Sequence, residues 1–147
     1  IVLSVLADAA FIEAELGRLE SARSSALECL SGENVLPYVR LLALVASELG
    51  LERELRAIAA EAPAEDRSAP PLRALLEGEF VAAADAWGAM EMLPLEAHAR
   101  LRAAERFRAE GRHPEADEQL ERALAFWRSV GATRYVRRGE ALLAASA

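Results

Sequence analysis

Glycine spacing constrains this chain more than any other feature. Gly17 and Gly50 lie 33 positions apart, as do Gly78 and Gly111, whereas Gly50 and Gly78 are separated by 28. Apolar residues between these glycines recur at i, i+3, i+4 and i+7, which gathers them on one face of a helix. A glycine just past the last periodic residue ends a helix cheaply, because it enters the left-handed backbone region without a Cβ clash. The spacing therefore marks pairs of helices folded back on each other. The clearest pair runs Pro94 to Glu110 and Pro114 to Val130, turning at Gly111-Arg112-His113. Proline suits a first helical turn, where its missing N–H costs nothing.

Taken in order, the pattern predicts nine helices. The first spans about Val2 to Leu16, with Leu6, Ala9, Ala10 and Glu13 on one face, and the second about Leu19 to Leu30, ended by Gly32. Asn34 is placed to cap a third that Pro37 starts and that carries Tyr38, Leu41, Leu42, Val45 and Leu49 up to Gly50. Glu52 to Glu61 is the fourth, and Ala62 to Ala69 has the composition of a loop between repeats. A short fifth helix, Pro71 to Glu77, precedes Gly78, and a sixth covers Phe80 to Met90. After the Pro94 to Val130 pair, Thr133 is positioned to cap a last helix to about Ala145, which has no sequential partner, as the end of a stack requires. The expectation is one all-α domain over 1–147: antiparallel hairpins at about 2–31, 35–61, 70–90 and 94–130, stacked as a right-handed superhelix and closed by a capping helix at about 133–145.

Composition narrows the function classes. Hydrophobic residues make up 53% of the 147 positions but aromatics only 5%, so alanine, the best helix former, supplies much of the apolar surface. The net charge of −7 argues against a generic nucleic-acid or anionic-membrane surface, since both need a positive field. Cys29 is the single cysteine and has no disulfide partner, which fits a reducing cytoplasm. No apolar run is long enough to span a bilayer. Ile1 to Leu6 runs straight into the helical pattern without an initiator methionine, so a piece of a longer chain is expected.

The last hairpin resembles the tetratricopeptide repeat, whose length is about 34 residues. Ala104 stands at the small position of the first helix, Phe107 at the aromatic one, and Ala116, Leu120 and Ala123 at the small, large and closing positions of the second. The third hairpin matches through Gly78, Phe80, Ala83 and Trp87, with Met90 in place of the final alanine, and the first through Ala10, Gly17, Ala22 and Cys29. The second departs from the pattern after Gly50. Gly78 to Trp87 and Ala123 to Tyr135 also resemble the C-terminal helical arrays of large bacterial signalling ATPases, namely class III adenylate or guanylate cyclases with an AAA-type ATPase, and LuxR-like regulators. That resemblance implies a regulatory scaffold whose catalytic or DNA-binding module lies elsewhere in the chain.

The residues themselves offer little chemistry. His98 beside Glu96 and His113 beside Glu115 lack the three or four ligands of a metal site, so no metal or other cofactor is expected. No nucleophile elbow or phosphate loop occurs, and Cys29 falls at a buried small position of the repeat register, so catalysis within this stretch is not expected. Trp87, Trp127, Phe80, Phe107 and Phe126 fit core positions, and Arg128, Arg134, Arg137 and Arg138 a solvated end. Counting from the turn glycines, the concave side of the array is lined by Phe11, Glu15, Arg40, Leu44, Ser47, His98, Leu101, Glu105 and Arg108. Such mixed polarity suits a protein or peptide, or another domain of the same chain, held by a few anchors and charge-assisted hydrogen bonds. The alternatives are a small-molecule sensor, with an enclosed pocket near Trp87, or the effector domain of a LuxR-like regulator.

Overall fold

The computed structural model describes residues 2–145. Among them it contains helices and no strand: α1 (Leu3–Glu15), α2 (Leu19–Leu30), α3 (Leu36–Ala43), α4 (Ala46–Leu49), α5 (Glu52–Ala60), α6 (Ala69–Leu76), α7 (Phe80–Ala89), α8 (Leu93–Ala109), α9 (His113–Ser129) and α10 (Thr133–Ala144). Among the described residues no helix is long and apolar enough to cross a membrane. The chain divides into two compact units, Ile1–Glu77 and Gly78–Ala147. Gly17, Gly50, Gly78 and Gly111, the glycines of the spacing, have positive φ and stand between helices, as does Gly131, which the spacing does not single out. Gly78 opens the second unit, so α6 and α7, expected as one hairpin over about 70–90, fall in different units.

In the first unit α1 and α2 form an antiparallel hairpin. The Cys29 thiol donates to the Leu3 carbonyl at 3.5 Å, and at the turn end Ser21 and Ser25 donate to the Glu13 carboxylate. The inward face of α1 is Leu6, Ala7, Ala10, Phe11 and Ala14, so Ala9 and Glu13 flank that face rather than form it. A single third helix was expected up to Gly50; instead α3 stops at Ala43, Val45 leaves helical geometry at φ −119° and ψ 15°, and α4 restarts the turn. The cause is local. Leu42, Ala43, Leu44, Val45 and Ala46 are all buried, and a straight helix spreads five successive residues around its whole circumference, so the chain bends to turn them inward. Asn34 does not cap α3: Val35 holds that position without a side-chain cap, and Asn34 sits at φ 55°. Two arginines tie the later helices by donating to chain carbonyls, Arg56 to Leu76 at 3.0 Å and Arg73 to Ala59 at 3.0 Å.

In the second unit α7 to α10 run alternately up and down. The core shared by α8 and α9 contains Ala97, Leu101, Ala104, Ala116, Leu120, Ala123, Leu124 and Trp127, with Tyr135, Val136, Leu142 and Leu143 of α10 packed against it. Ala104, Ala116 and Ala123 have no exposed surface, and their short side chains let the two long helices approach closely. Gly139 serves the same end, since a Cβ there would lie 2.6 Å from Leu124. Thr133 opens α10 but is not its cap: Ala132 is, and the Thr133 hydroxyl turns back to the Gly131 carbonyl at 3.4 Å.

Candidate functional site

Several residues expected along a concave groove are packing residues. Phe11, Leu44 and Leu101 are buried. In the first unit Glu15 and Arg40 are half-buried, with the Arg40 guanidinium donating to the Pro37 carbonyl at 3.2 Å. Ser47 is exposed and its hydroxyl donates to Glu48 at 3.0 Å. In the second unit His98 and Glu105 meet α10. His98 stands edge-on to Tyr135 at 4.9 Å and to Trp127 at 5.9 Å, while Tyr135 stacks on Trp127 at 5.1 Å. Glu105 pairs with Arg138 at 3.0 Å and Arg102 at 3.6 Å, and Arg108 lies 3.9 Å from Asp117 of α9. The terminal helix therefore covers part of the face that the glycine count turned outward. Burial among these rings, then the charges of Arg138 and Arg102, push His98 down to about 4, so at neutral pH it is an uncharged packing group.

A polar cluster that local periodicity did not reveal lies across α7, α8 and α9. Arg100 is only 1% exposed, and its guanidinium reaches Glu96 at 2.6 Å, Asp85 at 2.9 Å and Gln119 at 2.8 Å. Arg122 adds longer contacts to the two carboxylates, 3.8 Å to Asp85 and 3.6 Å to Glu96. Gly88 makes room for it, because a Cβ there would stand 2.8 Å from the Glu96 carboxylate. One signal was present in the sequence: Arg100 shares a helical face with Ala97, Leu101 and Ala104, where a charge needs partners. A cleft of about 260 Å³ beside the cluster is lined by Leu93, Glu96, Ala97, Arg100, Arg122, Ala125 and Phe126.

The more apolar recess, about 320 Å³, opens between α7 and α8, with Phe80, Val81 and Ala82 on one wall and Ala103, Arg106 and Phe107 on the other. Arg106 lies over the Phe80 ring at 4.5 Å and donates to the Gly78 carbonyl at 2.6 Å, an approach that a Cβ at Gly78 would obstruct. Arg112 covers the Phe107 ring at 4.4 Å. Phe80, Phe107 and Phe126 are thus half-buried, whereas Trp87 and Trp127 are fully enclosed and Trp87 lines neither recess.

Cys29 is buried, and burial raises its thiol above the ordinary range. His113 is the exposed first residue of α9, and Glu115 beside it is occupied by Arg112 at 3.1 Å. Of the basic residues around α10, Arg128 pairs with Glu140 at 3.0 Å and Arg138 with Glu105. Among the described residues no group of three His, Cys, Asp or Glu is arranged to hold a metal ion. Compared with known proteins, the chain matches no family model, no curated protein and no solved structure.

Proposed function

We propose that this chain is a non-catalytic interaction scaffold, a tetratricopeptide-like array that regulates an attached signalling module of cyclase or ATPase type. The observation that carries the reading is the recurrence of positive-φ glycines at 33-residue spacing, each joining two helices, with the alanines of the last hairpin fully buried. Repeated hairpins of this kind build extended surfaces for recognition, not enclosed centres for chemistry. The side-chain chemistry supports the same reading, since Arg100, Asp85, Glu96, Glu105 and Arg138 all join one helix to another.

The test is the open reading frame around Ile1 and Ala147, followed by titration calorimetry of this chain against whatever module adjoins it. An ATPase or cyclase module in frame that binds the chain supports the regulatory reading. A frame carrying only an unrelated enzyme, or an adjoining module that does not bind, overturns it. A second reading, a small-molecule sensor, is favoured by the recess between Phe80 and Phe107. It requires an apolar fluorescent probe to bind there and Phe107→Glu to abolish that binding.

A further inference from the structure

The outward face of α1 carries an apolar stripe. Val5 (58% exposed) and Ile12 (54%) lie on the helix, with Val2 (64%) at its N-cap and Leu16 (46%) at its C-cap; they follow one another at steps of three, seven and four, with the half-buried Ala9 in the gap. At 100° per residue these positions fall within an arc of about 80°, on the side away from the buried Ala7, Ala10, Phe11 and Ala14. The spacing is the 3–4 alternation with which one helix receives the knobs of another. The opposite face is packed into the hairpin, so the stripe is presented on a fixed helix.

Charge selects the partner. Asp8 and Glu15 border the stripe on one side and Glu13 on the other, and no basic residue occurs between Ile1 and Leu16. A second copy of the chain would set these carboxylates against themselves, and an anionic membrane would be repelled by them. We propose that this face docks an amphipathic helix whose apolar residues follow the same spacing and whose flanks are basic. The inference deepens the scaffold reading, on which it rests, by naming a surface and the chemistry of its partner.

The experiment uses the full chain and a labelled helical peptide of leucine and lysine, its leucines spaced like the stripe, followed by fluorescence anisotropy. Saturable binding is expected, weakened at least about tenfold by Val5→Asp, Ile12→Asp or Asp8→Lys, and weakened again as salt rises from about 50 to 500 mM. Val130→Asp, at an equally exposed residue of the other unit, leaves binding unchanged. These positions are exposed, so circular dichroism should show each variant folded. Equal binding of a twin peptide with glutamate for lysine, or full binding by Ile12→Asp, overturns the proposal. So does a dimer in sedimentation velocity that Ile12→Asp dissolves, which would assign the stripe to a second copy. A missing signalling module in the reading frame would sink the regulatory role and leave this binding result untouched.

Discussion

Replacing Arg100 by methionine tests whether the buried cluster holds α7, α8 and α9 together. Methionine keeps much of the side-chain length but removes every hydrogen bond to Glu96, Asp85 and Gln119. Removing one partner of a buried ion pair costs about 3 to 5 kcal/mol, because the remaining charge stays desolvated without compensation. Two facts place this case at the low end: the Asp85 side chain is 57% exposed, and Arg122 stays within 3.8 Å of Asp85 and 3.6 Å of Glu96. A loss of about 3 kcal/mol in a unit of this size lowers its melting temperature by roughly 12 °C or more. The assay is a thermal melt followed by the fluorescence of Trp87 and Trp127, both in the second unit, with hydrogen exchange on the amides of α7 to α9 to assign the loss there. A companion carrying Arg100→Met, Glu96→Leu and Asp85→Asn should regain most of that stability, since it also removes the two carboxylates that the single change leaves without their buried partner, and the Arg122 side chain released by them is half exposed to water. A single variant melting within about 2 °C of the parent, or a companion no more stable than the single variant, refutes the reasoning.

Three further outcomes are expected. Ala116→Arg forces a guanidinium into the fully buried contact between α8 and α9 and should cost more than about 4 kcal/mol, seen as loss of the cooperative melt of the second unit. His98 is held at about 4 in the fold against an ordinary 6.5, so the unfolded chain takes up its proton first. Its contribution is therefore flat above pH 6.5 and destabilising as pH falls from 6.5 towards 4, by up to about 3 kcal/mol. Urea titrations of the parent and His98→Gln at pH 7 and pH 4.5 should show the parent losing more stability on acidification; equal losses would contradict the burial of that ring. Cys29, buried and with its thiol raised, should react with an aromatic disulfide reagent far more slowly in buffer than in urea, and equal rates would place it at the surface.

What was legible in the sequence was whatever depends on neighbours along the chain. Glycines with positive φ, prolines in first turns and alanines in register are all local signals, and the helices α7, α8 and α9 begin and end within a residue of where they point. Contacts between helices were not legible in the same way. Arg100 meets residues 15 and 19 positions away, and on its own helix it resembles any solvated charge unless its place among Ala97, Leu101 and Ala104 is weighed. A repeat count turns His98 and Glu105 toward a groove because it says nothing of where α10 packs, and Tyr135 and Arg138 of that helix are the side chains that meet them. The bend at Leu44 and Val45 was hidden for a related reason, since five successive buried residues have no period to read.

On α1 apolar residues occupy most of the circumference, so a single face drawn through Leu6, Ala9, Ala10 and Glu13 straddles the true one. A helix of ordinary surface type has one apolar stripe and one polar side, and the contrast between them makes its orientation readable. Here the contrast is weak because two stripes share the helix. One is buried against its own unit, and the other, from Val2 to Leu16, is exposed between carboxylates. Burying a stripe of four large aliphatic side chains is worth several kcal/mol at roughly 25 cal/mol per Å², whereas leaving it in water contributes nothing to this fold. The ambiguity of a single-face reading thus comes from a buried and an exposed apolar stripe on one helix, and substituting Ile12 tests the docking role proposed for the exposed one.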